Sequence, residues 1–268
     1  MAPMHPQNSD LDLMHLLADC ASDAILPHFR ALPGVENKAQ QGFDPVTVAD
    51  REAERAIRDS LADHRPQDGI FGEEFPPTAG TSGRTWILDP IDGTRGFMAG
   101  LPTWGVLIAV AEGAEPVAGM MAQPLVRERF YAGPGGAFMD SYRGTEAIAT
   151  RSCRRLEDAV VACTAPQDFD QTMLDLVERL SRRVRLVRFG VDCYGYAVLA
   201  AGHVDIVIET GLKPFDIAPF VPIVERSGGV LLDRHGERIG GTILDGYGGD
   251  GIAVGDPALV DALMAELG

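Results

Sequence analysis

The stretch Trp86-Ile87-Leu88-Asp89-Pro90-Ile91-Asp92-Gly93-Thr94-Arg95-Gly96-Phe97 constrains this chain more than any other. Three apolar residues that read as a strand run straight into Asp89, and Pro90 and Gly93 then force a turn. Two carboxylates and a hydroxyl are left crowded at its mouth. Carboxylates separated by two turn residues, with backbone carbonyls exposed between them, offer the all-oxygen ligation of a hard divalent ion such as Mg2+. A strand followed by an Asp-rich turn accounts for the same residues, so both readings stand on this stretch alone.

Such a turn needs a scaffold, and 268 residues at 46% hydrophobic can bury a substantial core in one large domain or two smaller ones. The formal charge of -16 argues against a nucleic-acid surface, which draws on clustered Lys and Arg. An acidic chain still takes an anionic substrate where bound cations reverse the local sign. Cys20, Cys153, Cys163 and Cys193 show no C-x-x-C spacing, and the N-terminus lacks the charged and apolar regions of a signal peptide. The expected compartment is the cytoplasm. No membrane span is expected, because Glu112 and Glu115 interrupt the apolar run between Leu107 and Met121. The six histidines, His203 among them, lack H-x-x-x-H spacing and read as surface or core residues.

Along the chain, Ser9 or Asp10 is placed to cap a helix whose apolar positions include Leu11, Leu13, Leu16, Leu17, Ala21 and Ile25. A loop from Ala31 to Gly42 carries Lys38 and reads equally as a connector or a lid. Thr47-x-x-Asp50 has the form of a capping box for a second helix through Ala53, Ala56, Ile57 and Leu61. Gly69 to Glu74 reads as a short strand ending in a carboxylate pair. Thr103 to Ala111, Val117 to Gln123 and Arg127 to Ala132 read as an antiparallel meander, and Gly133-Pro134-Gly135-Gly136 as a tight reversal without the Lys of a P-loop.

From about Glu146 the pattern alternates: strand Ala159–Cys163, helix Gln171–Leu180, strand Val184–Phe189, helix Tyr194–Ala201, strand Val204–Glu209. A helix from Phe215 to Ser227, ended by Gly228-Gly229, strands near Val230–Leu232 and Ile252–Val254, and a helix from Pro257 to Leu267 complete it. The expected division is an N-terminal α+β unit over 1–145 and a C-terminal α/β unit over 146–268.

The central stretch resembles the signature of the inositol monophosphatase-like family of Mg-dependent phosphomonoesterases. Asp44 through Asp50, Gly72-Glu73-Glu74 and Glu209 through Asp216 extend the resemblance in the family's order over most of the chain. Arg95, the run Arg188 through Tyr196, and Gly211 through Asp216 look most like histidinol-phosphate phosphatases within it. The resemblance implies a layered αβαβα sandwich of the inositol monophosphatase and fructose-bisphosphatase type, of mixed α+β and α/β class. It also implies two or three Mg2+ ions, a small phosphorylated metabolite as substrate, and a homodimer.

By the same resemblance, Glu73, Asp89, Asp92, Asp216 and the carbonyl of Ile91 become metal ligands, while Asp50 and Thr94 activate the attacking water. The backbone N–H groups of Gly93 and Thr94 would hold the phosphate, with Arg95, Asp192 and Glu209 on the substrate side. Asp192 and Glu209 suit the ammonium and imidazole of histidinol. Their ordinary readings are a cap for the helix starting near Cys193 and the end of a strand. Phe215 stands where inositol monophosphatases commonly have Trp. Aspartyl-phosphate enzymes use Asp-x-Asp-Gly-Thr, but here Ile91 adds a residue, which favours metal-activated water over a covalent intermediate. The spacing is also too short for a calcium loop. The implied reaction is hydrolysis of L-histidinol phosphate in histidine biosynthesis. An inositol monophosphatase or another small-phosphate phosphatase, acting on phosphoadenosine phosphate or fructose bisphosphate, is the alternative. A catalytically silent metal- and phosphate-binding regulator is a third, opposed by the retained Thr94 and Asp50.

Overall fold

The computed structural model describes residues 9–31, 35–37, 45–241 and 243–267; Asp44 and the Lys38 loop position lie outside the described residues. Helix α1 (Asp10–Ile25) begins where Ser9 and Asp12 close a capping box, and it buries the stripe Leu13, Met14, Leu17, Ala18, Ala21 and Ile25. Strands β1 (Val35–Asn37) and β2 (Pro45–Thr47) pair antiparallel and lead into α2 (Val48–His64). That helix starts on the expected Thr47–Asp50 box.

Helices α1 and α2 cover one face of a seven-stranded sheet. Its strands run in chain order: β3 (Gly69–Gly72), β4 (Arg84–Asp92), β5 (Gly105–Glu112), β6 (Glu115–Gln123), β7 (Glu128–Gly133), β8 (Gly136–Ser141) and β9 (Gly144–Ala147). β3 and β4 are parallel and every later neighbour is antiparallel. The two-residue period sorts the side chains, so that Trp86, Leu88, Val106, Ile108 and Met120 meet α1 and α2. Ile87, Leu107, Ala109 and Met121 face the other way. The short α3 (Thr94–Met98) lies between β4 and β5.

The second sheet has five strands, β10 (Val160–Cys163), β11 (Leu186–Phe189), β12 (Ile206–Leu212), β13 (Val230–Leu232) and β14 (Gly249–Val254), in the order β11-β10-β12-β14-β13. β10 is parallel to both neighbours, and β14 is antiparallel to β12 and β13. Between the two sheets lie α5 (Tyr194–Ala200), α6 (Pro214–Ile217) and α7 (Phe220–Arg226), whose Tyr196, Ile217, Phe220 and Ile223 join side chains of both sheets in one core. α4 (Gln171–Ser181) and α8 (Val260–Leu267) cover the far face through Leu176, Leu180 and Leu263. The layers are therefore α, β, α, β, α. Each fully buried Leu, Ile or Phe in them is worth about 1.5–3 kcal/mol of transfer free energy.

Four details differ from the sequence reading. The helix expected over Phe215–Ser227 is two helices, α6 and α7, separated at Ala218 and Pro219, where proline has no N–H to continue the ladder. The last helix begins as a 3-10 turn over Pro257–Leu259, and β11 starts at Leu186 rather than Val184. The β8–β9 hairpin carries no strong apolar alternation and was not expected; β9 is exposed throughout.

Candidate active site

The ladder between β4 and β5 is regular as far as Asp89–Leu107 and resumes only at Asp92–Gly105. Pro90 cannot donate a ladder hydrogen bond, and the strand is irregular there, which re-aims the carboxylates on either side. Asp89 Oδ1 accepts the Ile91 N–H at 3.0 Å. Gly93 then turns the chain with φ 81°, and a Cβ on it would stand 2.9 Å from Asp192 Cβ, so both conformation and space require glycine. Thr94 opens α3, its hydroxyl donating to the Ile91 carbonyl at 3.1 Å.

Asp216 arrives from α6, its Oδ2 accepting the Lys213 N–H at 2.8 Å. Carboxylate oxygens of Asp89, Asp92 and Asp216 lie within 4.8 Å of one another. Burial raises Asp89 and Asp92 well above the usual carboxylate range, with neighbouring carboxylates adding to it, and it pushes Asp216 up to about 7. Glu73 follows β3, its N–H donating to the Leu88 carbonyl at 3.2 Å. It stands outside the triad, yet its charge bears on Asp50, Asp89 and Asp216.

Asp50 takes the cap role that its sequence position offered, and one of its oxygens is left over. Its Oδ2 closes the capping box, accepting the Thr47 N–H at 2.8 Å and hydroxyl at 2.6 Å. Its Oδ1 is buried without a hydrogen-bond partner. Asp50 and Thr94 do not hydrogen-bond to each other here, since Thr94 is engaged with Ile91. Converging oxygens, raised carboxylates and an orphaned buried acceptor are what a hard cation and its water would satisfy, so the donor set fits Mg2+.

Beside the triad is a cavity of about 140 Å³ whose walls include Asp92, Thr164, Asp192, Tyr196 and Glu209. Glu209 sits where the β12–β14 register shifts. Thr164 links its walls: its hydroxyl donates to Glu209 Oε1 at 2.7 Å and accepts the Asp192 N–H at 2.9 Å. Burial pushes Glu209 up to about 8, opposed by its bond to Thr164.

Asp192 does not cap α5. It adopts φ 45° and its carboxylate accepts the Thr103 hydroxyl at 2.6 Å, which turns it onto Gly93 and Gly96 at the start of α3. Burial raises Asp192, while the Thr103 bond and the charge of Arg95 lower it. Cys193 donates its N–H to Asp92 Oδ2 at 3.0 Å, joining this wall to the triad. Arg95 is exposed, with Nη1 on Asp168 Oδ2 at 2.6 Å. Thr103, Thr164 and Tyr196 were given no role from the sequence. Only Thr164 carried a signal, a hydroxyl directly after a buried strand.

The sequence model of the inositol monophosphatase family matches residues 11–266. The chain belongs to the inositol monophosphatase family. It is a phosphatase of that family, and the layered fold is the family's. A solved inositol monophosphatase from Zymomonas mobilis is 39% identical, with TM-score 0.83 over 96% of this chain and 97% of that one. A protein of Chlorobaculum parvum named histidinol-phosphatase is 36% identical over 97% of this chain and 96% of its own length. A chloroplastic bifunctional phosphatase of Arabidopsis thaliana is 35% identical over 88% of this chain and 69% of its own length. Among the described residues, no helix of this inositol monophosphatase family member is long and apolar enough to cross a membrane.

Proposed function

We propose that this chain hydrolyses L-histidinol phosphate to L-histidinol and phosphate in a Mg2+-dependent reaction. The observation that carries the reading is the buried carboxylate of Glu209 in a cavity that opens beside Asp92 and Asp216. Histidinol ends in an ammonium and an imidazole, and an anionic cavity next to the phosphate site suits that end. The Chlorobaculum parvum relative named histidinol-phosphatase supports the same substrate.

Asp89, Asp92, Asp216, Glu73 and the Ile91 carbonyl would hold the cations. Bound Mg2+ supplies the Lewis acidity and charge neutralisation that phosphoryl transfer to water needs. The backbone N–H groups of Gly93 and Thr94 would orient the phosphoryl oxygens at the start of α3, with Arg95 nearby. Asp50 Oδ1, buried and unpartnered, is the acceptor for a proton of the attacking water, and the Thr94 hydroxyl orients that water. Burial disfavours the charged form of Glu209, and a cationic group of the substrate beside it would favour that form, because the partner charge offsets the burial.

The test is a phosphate-release panel of L-histidinol phosphate, inositol 1-phosphate, phosphoadenosine phosphate and fructose bisphosphate, with Mg2+ and with excess chelator. The highest kcat/KM is expected for histidinol phosphate, with turnover abolished by chelator. Glu209→Gln should lower that kcat/KM about ten- to a hundredfold, the scale of a hydrogen bond to a charged group, and cost inositol 1-phosphate much less. The Zymomonas mobilis likeness favours inositol phosphate as the second reading. Wild-type preference for inositol 1-phosphate, or parallel losses on both substrates, would establish it instead.

A further inference from the structure

The cavity beside Asp92 is lined by a polar side chain that the proposed reaction leaves unused and that has no hydrogen-bond partner of its own. Tyr196, on α5, is 2% exposed, its ring stacked on Phe220 with centroids 4.7 Å apart and planes 22° apart. Its Oη is buried with no hydrogen-bond partner, yet the side chain lines the cavity together with Glu209 and Asp192. Thr164 makes no hydrogen bond to it, its hydroxyl donating to Glu209 and accepting the Asp192 N–H. Gly251 packs closely on another side, where a Cβ would come 3.0 Å from Oη and 2.6 Å from Leu212 Cδ1. A buried hydroxyl without a partner is destabilising, and phenylalanine would fill the same space without that cost.

We infer that Tyr196 Oη is a specificity-determining contact, accepting a hydrogen bond from a cationic N–H of the leaving group that Glu209 pairs with by charge. The inference rests on the amino-alcohol reading of the leaving group. An ammonium has three N–H donors, and Glu209 Oε1 is already taken by Thr164, which leaves one free carboxylate oxygen for them. The phenol supplies a further acceptor beside the carboxylates of Glu209 and Asp192. A neutral polyol also donates O–H groups, but a hydrogen bond from a charged donor is the stronger kind, so the contact discriminates between the two classes.

Tyr196→Phe removes the oxygen and keeps the stacked ring. Three quantities are read on the full-length protein: kcat/KM for L-histidinol phosphate and inositol 1-phosphate with Mg2+, the calorimetric affinity for L-histidinol, and the melting temperature without ligand. The expected result is a melting temperature equal to or above wild type. Histidinol affinity should fall about tenfold, and kcat/KM should fall several-fold more for histidinol phosphate than for inositol 1-phosphate. Equal losses on both substrates, an unchanged histidinol affinity, or a clear drop in melting temperature would overturn it, the last because Oη would then be a structural contact. Should wild type prefer histidinol phosphate and Glu209→Gln erode that preference while Tyr196→Phe does not, only the tyrosine inference falls. Should wild type show no such preference, the substrate reading falls and the inference with it.

Discussion

Burial disfavours the charged forms of Asp89, Asp92 and Asp216 in the unliganded fold, and neighbouring carboxylates add to the effect at Asp89 and Asp92. Neutralising one ligand is therefore expected to act on metal binding first. Asp89→Asn and Asp216→Asn should each weaken Mg2+ by about tenfold or more, since even groups behind the ligands are worth that much, and turnover should fall with it. Thr94→Ala should leave Mg2+ affinity within about twofold while lowering kcat by roughly a hundredfold, the scale of a positioned proton-transfer group. Calorimetry with Mg2+ separates these outcomes, and an equal loss of affinity in Thr94→Ala would make Thr94 a ligand. That Asp89 and Asp92 share one turn was legible in the residues themselves, whereas Asp216 was joined to them only by the family resemblance of its Gly-x-x-Pro-Phe-Asp string. Asp192 was harder to read, since its orientation depends on Thr103 and Thr164, 89 and 28 residues away. No local pattern announces contacts of that separation.

At the scale of elements, α2 does more than cover the sheet. Asp50 and Glu54 are four residues apart and share a face, so one helix sends a carboxylate to the site and another to the turn that carries Glu73. Glu54 is fully buried; it accepts the Glu74 N–H at 2.7 Å and Arg58 Nε at 2.7 Å, and its carboxylate lies directly over Gly72. A Cβ at Gly72 would overlap that carboxylate. Gly72→Ala should therefore displace Glu54 and cost on the order of 1–3 kcal/mol, the usual scale of overpacking. If the turn positions Glu73, Mg2+ affinity should drop as well. Urea melts and calorimetry test both parts, and wild-type values in the variant would remove Glu54 from any positioning role. The start of α2 was readable because a capping box is local chemistry. The break between α6 and α7 was signalled by Pro219, but the apolar run through Phe220, Val221, Ile223 and Val224 masked it.

For the whole molecule, the alternation of strands and helices made the mixed layering readable, whereas the order β11-β10-β12-β14-β13 depends on pairings between distant segments. Joining those layers brings the acidic groups together, and the cost should appear in stability against pH. Glu209 rises from 4.5 to about 8 and Asp216 from 3.8 to about 7 on folding, burial being the main cause of each. The metal-free fold thus holds protons that the unfolded chain releases near pH 4. Their stabilising contribution is complete below that pH and is lost as pH rises through about 7 and 8, at up to about 1.4 kcal/mol per pH unit for each group. In chelator, the melting temperature should fall from pH 5.5 to pH 8.5, and Glu209→Gln should flatten part of the decline, which separates it from the general repulsion of a chain carrying -16. Mg2+ held as proposed would compete with protons for Asp216 and its neighbours, so it should raise the melting temperature more at pH 8 than at pH 5.5. A melting temperature in chelator that holds level or rises over this range would mean that the carboxylates are already ionised in the metal-free fold and that burial does not govern them.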